Sequence, residues 1–318
     1  MSKVGVTGGA GFVGTNLVRE LLKHGHEVIV VDDLSAGLVS NIEGLDIDFV
    51  KTSITDFNSL KKALLPADCI FHLAARGSVP RSIQNPRATF EVNVTGTQNV
   101  LEVARENGAK VIFSSSSSVY GSNQDLPKKE RMWMSPISPY AASKLAGEAL
   151  VQSYAKSYGL VSTSFRFFNI FGPFQRPDHD YAAVIPKWIW KAMNNQPLEI
   201  YGDGHQTRDF TYVMTVVQAL IATLDTNLRH EDPINLAFGN RISLNDVIIE
   251  LRKFFPSLDT HYLPARLGDV VDSQNDPSYL NSILPKIAPG SFANSLAATV
   301  SWFSQDISKV LNGPKVLD

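Results

Sequence analysis

The chain has 318 residues, of which 44% are apolar and 19% charged, and its formal net charge is -2. That length fits one large α/β domain or two unequal ones, and the composition excludes a disordered chain. No basic stripe stands out, which argues against a nucleic-acid partner, and no apolar run reaches the roughly 20 residues of a membrane helix. The single cysteine, Cys69, excludes an intrachain disulfide and suits a reducing compartment. Within Cys-Ile-Phe-His-Leu it reads as a small buried hydrophobe. No signal-peptide pattern follows Met1, so the expected location is the cytoplasm.

In chain order, residues 4–7 read as a strand, 11–23 as a helix, and the β-branched run 28–31 as a strand ending in Asp32. Residues 48–51, 69–73 and 111–115 are further strands, with helical stretches at 56–65 and 88–107 between them. Such alternation implies crossover units and a parallel sheet. Residues 139–158 read as one long helix on which Tyr140, Lys144 and Glu148 recur one turn apart, and 162–167 as another strand. From Phe171 onward Gly and Pro become frequent, a shift towards a ligand-facing cap. Residues 313–318 are expected to fray.

The strongest single motif is Thr7-Gly8-Gly9-Ala10-Gly11-Phe12-Val13-Gly14, which closes the first strand and opens the first helix. Glycines at that spacing let the backbone approach a pyrophosphate, while the helix N-terminus offers Phe12, Val13 and Gly14 N–H groups to it. Asp32 stands 18 residues after Gly14 at the end of the second strand. There a carboxylate accepts hydrogen bonds from an adenosine ribose and repels a 2′-phosphate, which favours NAD over NADP. Leu73, Ala74 and Ala75 close the fourth strand with side chains small enough for a dinucleotide to lie across it. His72, flanked by Phe and Leu, reads as a satisfied core histidine, and Asn93 as a polar bridge to the active-site helix. No metal-ligand set is singled out.

Tyr140 and Lys144 are four residues apart, hence on one helix face. A free phenol has a pKa of about 10, and a neighbouring ammonium is expected to lower it so that the phenolate can take a proton from a hydroxyl. The serine-rich strand end, Phe113 to Gly121, is expected to lend one hydroxyl to the same reacting oxygen.

Together these segments resemble the extended short-chain dehydrogenase/reductase family, specifically its NAD-dependent nucleotide-sugar epimerases and dehydratases. The resemblance extends through Arg166-Phe167-Phe168-Asn169-Ile170-Phe171-Gly172-Pro173, through Tyr201 to Phe210, and to Ala265-Arg266-Leu267-Gly268-Asp269. It implies a Rossmann-type doubly wound α/β fold. Residues 1–168 would bind NAD, and 169–318 would mainly bind the nucleotide-sugar, with some chain returning to the sheet. It puts the catalytic Ser/Thr on Ser116, the base on Tyr140 and the lysine on Lys144. It puts a substrate-facing asparagine on Asn169, pyrophosphate-binding arginines on Arg208 and Arg266, and a ribose acceptor on Asp269. The segment Val184 to Lys187 would run as a loop beside the base. Related 4,6-dehydratases carry an Asp-Glu pair where this chain has Ser117 and Ser118, which favours a UDP-sugar 4-epimerase; the alternatives are a dehydratase or reductase of the same family and a non-catalytic NAD-binding protein, which would usually have lost Tyr140 or Lys144. Ser273 falls where related epimerases gate the pocket by residue size, and a serine would admit an N-acetyl group. Ser53 and Met214-Thr215 depart from the family's usual acidic residues, and Arg76 and Arg81 sit in the loop after the fourth strand. Relatives pair as homodimers through helices corresponding to residues 88–107 and 138–158.

Overall fold

Alternate residues of the early strands face opposite ways, and both sets are apolar: Val28 and Val30 on one side, Ile29 and Val31 on the other. A strand apolar on both faces belongs inside a parallel sheet covered by helices. A computed structural model of the chain describes residues 1–178, 182–226, 230, 232–265 and 272–311, and it has this architecture.

The first half runs β1 (Lys3–Thr7), α1 (Phe12–Lys23), β2 (Glu27–Asp32), α2 (Val39–Ile42), β3 (Asp48–Lys51), α3 (Phe57–Leu64) and β4 (Cys69–His72). Then come α4 (Val79–Gln84), α5 (Pro86–Phe90), a π-helical turn (Glu91–Thr95), α6 (Gly96–Asn107), β5 (Lys110–Ser116) and a 3-10 turn (Ser117–Tyr120). After α7 (Pro139–Tyr158) and β6 (Ser162–Phe167) follow β7 (Asn169–Phe171), α8 (Val184–Met193), β8 (Leu198–Tyr201), β9 (Thr207–Arg208), β10 (Phe210–Tyr212) and α9 (Val213–Asp225). The chain ends with β11 (Ile234–Leu236), β12 (Ile242–Ser243), α10 (Leu244–Arg252), β13 (Thr260–Leu263), α11 (Ser278–Ile283) and α12 (Phe292–Leu311).

Seven strands form one parallel sheet in the order β11-β6-β5-β4-β1-β2-β3. Leu17 and Leu21 of α1 with Val216 and Leu220 of α9 cover one face; Leu60 of α3, Leu101 of α6 and Val151 of α7 cover the other. The strand order reverses between β1 and β4, the point of an open α/β sheet at which a ligand crevice is expected outside the carboxyl ends of the strands. A separate core gathers Phe171, Trp188, Ile200, Phe210, Val247 and Phe303. Strand β11 arrives after much of that second part and pairs with β6, Ile234 opposite Phe165.

Two stretches differ from the sequence expectation. Residues 88–107 do not form one α-helix: a π-helical turn separates α5 from α6, and its buried Asn93 bonds the loop after β4 and helix α7. The segment from Val184 to Lys187 is the start of α8 and not a loop, because Ile185, Trp188 and Ile189 need one helical face to enter the second core.

Candidate active site

The glycine loop is shaped by contacts that only glycine permits. Gly8 has φ +73, and a Cβ there would meet the Ala74 backbone nitrogen at 2.8 Å; a Cβ on Gly14 would lie 2.1 Å from the Gly8 carbonyl oxygen. The loop therefore sits in the groove between β1 and the segment Leu73-Ala74-Ala75, held by the Leu73 N–H donating to Thr7 O (3.1 Å). Gly11 is the N-cap of α1, and no side chain caps that helix. The first-turn N–H groups have no intrahelical acceptor and point towards the groove. Asp32 ends β2 and is 7% exposed. One of its oxygens accepts from Ala10 N–H (3.0 Å) and the other from Leu34 N–H (2.8 Å), so it fixes the loop and keeps lone pairs for a ribose. Burial pushes its pKa above the ordinary carboxylate value, against those two N–H donors. This cradle and its carboxylate fit an adenine dinucleotide.

Strand β5 delivers the next group. Ser115 pairs in register with Arg166 and Ser116 with Phe167, so Asn169 emerges at the same sheet end as Ser116. Ser116 accepts from Ser118 N–H (3.2 Å) and donates to the Ser118 hydroxyl (3.0 Å), and it stands beside the Tyr140 phenol. Tyr140 stands at the second position of α7, whose start is fixed by Pro139 and by the Ser138 hydroxyl accepting from Ala141 N–H (3.1 Å). One turn on, Lys144 is 3% exposed and donates to the Ser114 carbonyl (2.7 Å), with its ammonium 5.1 Å from the Phe113 ring centre.

The electrostatics differ from the sequence expectation. Lys144 does not draw the phenol down here: its ammonium turns to Ser114 O, and burial pushes the Tyr140 pKa up, with the Ser116 hydroxyl pulling the other way. Burial also lowers Lys144 to about 8, opposed by the Glu148 carboxylate.

His72 is a core histidine. Its Nδ1 meets the Thr7 hydroxyl at 2.8 Å and its Nε2 the Thr97 hydroxyl at 2.9 Å, and burial lowers its pKa to about 3. Thr97 donates to Asn93 O (2.7 Å), so it accepts from Nε2–H, and Nδ1 is the acceptor towards Thr7. Asn93 in turn accepts from Arg76 N–H (2.7 Å) and donates to Ser143 Oγ (2.9 Å), bridging the loop after β4 to α7. In the sequence His72 reads as a satisfied core histidine and Asn93 as a polar bridge; the hydroxyls of Thr7, Thr97 and Ser143 that complete the chain are not visible in residue order.

In the second part, Asn169 pairs with Phe210, two residues beyond Arg208. Arg208 is half-buried and donates to Thr207 O (2.9 Å), and Thr207 O also accepts from Ser273 N–H (3.1 Å). Arg208, Asn169 and Ser273 therefore belong to one neighbourhood. Arg266 and Asp269 lie outside the described residues. Among the described residues no cluster of three His, Cys, Asp or Glu could hold a metal ion, and no helix is long and apolar enough to cross a membrane.

Residues 4–237 match the model of the NAD dependent epimerase/dehydratase family. A UDP-N-acetyl-alpha-D-glucosaminuronate decarboxylase from Bacillus cytotoxicus is 33% identical over 94% of this chain and 97% of its own. The UDP-glucose 4-epimerase of Mycolicibacterium smegmatis is 34% identical over 94% of this chain and 97% of its own. The solved UDP-N-acetylglucosamine 4-epimerase of Methanobrevibacter ruminantium, in complex with UDP-N-acetylmuramic acid, is 37% identical, covers 95% of this chain and 98% of its own, and superposes with a TM-score of 0.90. On its glycine cradle, its sheet order and these matches, the chain belongs to the NAD-dependent epimerase/dehydratase family of enzymes.

Proposed function

We propose that the protein is a UDP-sugar 4-epimerase that acts on UDP-hexoses or UDP-N-acetylhexosamines through a transient 4-keto sugar. The observation that carries this reading is the grouping of Ser116 at the end of β5 with Tyr140 and Lys144, one turn apart on α7, where Lys144 donates to Ser114 O of the same strand. Bound NAD supplies the acceptor, and then the donor, of the C4 hydride. Tyr140 takes the proton of the sugar 4-hydroxyl and later returns it, while Ser116 hydrogen-bonds the same oxygen. The Lys144 ammonium, one turn from Tyr140, would favour phenolate as the proton leaves once it turns from Ser114 O towards the phenol. Arg208 and Arg266 grip the diphosphate, for which guanidinium forks are suited, so the keto sugar can turn while its nucleotide stays fixed. Asn169 faces the sugar and Asp269 accepts from the nucleotide ribose.

Ser117 and Ser118 follow Ser116 where an elimination would use carboxyl groups, and a serine hydroxyl is a poor general acid at neutral pH. Product NMR after incubation with UDP-glucose, UDP-GlcNAc and their C4 epimers tests the reading. C4 exchange that disappears in Tyr140→Phe is expected; a keto, unsaturated or decarboxylated sugar would replace it with a dehydratase or decarboxylase. The small Ser273 beside Arg208 supports N-acetyl substrates. Ser273→Tyr should lower turnover of the N-acetyl pair at least tenfold relative to the plain hexoses, and an unchanged ratio removes that assignment.

We further infer a cytoplasmic enzyme, consistent with its single buried cysteine, and a two-fold homodimer built on the α5–α6 and α7 helices.

A further inference from the structure

We propose that Arg166 is the positioning residue for the Ser116–Tyr140 pair, its guanidinium tying the strand end that carries the serine to the helix that carries the tyrosine. The proposal rests on the catalytic reading above.

Arg166 lies in β6 and is 1% exposed. A guanidinium has five N–H donors, and each has an acceptor here. Nε donates to Glu148 Oε1 (2.8 Å) and Nη2 to Glu148 Oε2 (2.8 Å). Nη2 also donates to Met134 Sδ (3.0 Å), and Nη1 donates to the Tyr120 hydroxyl (2.9 Å) and the Glu130 carbonyl (2.9 Å).

Those acceptors belong to three stretches of chain. Glu148 is on α7, one turn beyond Lys144 and two beyond Tyr140, and it also accepts from Ser115 Oγ, the neighbour of Ser116. Tyr120 closes the 3-10 turn that starts after Ser116, and its hydroxyl reaches Asn235 Oδ1 (2.8 Å) on β11. Glu130 and Met134 lie on the segment that leads from that turn to Ser138. How Ser116 stands relative to Tyr140 depends on how these stretches are held together, and one planar group spans them. None of the five bonds involves a residue that would touch substrate.

A buried ion pair is a weak source of stability, because apolar side chains of similar volume often serve as well. What apolar packing lacks is direction. Misplacing reacting groups by about 1 Å can cost ~100-fold in rate, so the fork's contribution here is registration.

The test is the double variant Arg166→Met/Glu148→Leu, which removes both charges and keeps the volume. Thermal midpoint, bound NAD, KM and kcat for C4 exchange, and the ¹³Cζ NMR signal of Tyr140 (assigned by its loss in Tyr140→Phe) would be compared with the parent. The expected result is a folded protein with NAD bound, KM within about threefold, kcat lowered about 10- to 100-fold, and a shifted Tyr140 signal. A folded double variant with parental kcat and an unmoved Tyr140 signal overturns the proposal. Should the double variant not fold, Tyr120→Phe, which deletes one acceptor of the fork, is expected to lower kcat several-fold at constant KM, and parental kcat overturns the proposal. If the parent exchanges no UDP-sugar, the catalytic reading fails separately. The Tyr140 signal then decides the positioning role alone.

Discussion

Lys144 shows how one side chain's setting turns into a measurable limb of a pH profile. Burial brings it down to about 8, and Glu148 on its own helix is the carboxylate that opposes this; His72 on β4 is neutral and adds no charge. The protonated lysine is the form that favours phenolate at Tyr140. The contribution of the charged lysine to turnover is therefore expected to be present below about pH 8 and to be lost as pH rises through it. Glu148→Gln removes the opposing charge, so the alkaline limb should move to lower pH, read from kcat against pH; a limb that stays in place would mean another group sets it. The sequence shows that Tyr140, Lys144 and Glu148 share a face, because one-turn spacing is local. It does not show that Glu148 is spoken for by Arg166, since that contact joins α7 to β6 through the fold.

At the scale of elements, the first helix and its loop act as one part. Gly14 belongs to α1, yet its missing side chain is what lets Gly8 O pass. Gly14→Ala should displace the loop, lower stability by about 1–3 kcal/mol as overpacking does, and yield protein purified with little NAD. NAD content and the thermal midpoint check this, and full occupancy would show that the loop yields without cost. Elements of this kind were legible: apolar runs and glycines locate β1, α1 and β2 to within a residue or so, and the limits of α7 follow from Pro139 and the left-handed Gly159 (φ +72). The π-helical turn was not legible. Periodicity over residues 88–107 reads as a plain helix, and the extra residue in the turn is explained only by what Asn93 reaches, namely Arg76 and Ser143. Single π-turns inside helices recur at functional sites for this reason.

The whole molecule leaves Ile83 of α4 64% exposed and Phe90 of α5 40% exposed, beside a shallow groove lined by Pro86, Phe90 and Val94. An apolar face of this kind suits the proposed two-fold pairing. Light scattering should give twice the chain mass for the parent and the single mass for Phe90→Glu. A monomeric parent would end the dimer assignment. The sheet itself carries a different consequence. Its outer strand β11 is made from residues 234–236, and α9, which shields α1, from residues 213–225. A chain emerging from the ribosome has thus completed six of the seven strands long before the two pieces that finish them exist. Until residue 225 has been synthesised Leu17 and Leu21 lack the cover of α9, and until residue 236 β6 is a bare edge. Nascent chains stalled between residues 168 and 236 should accordingly be the species that chaperones hold and that aggregate when they do not.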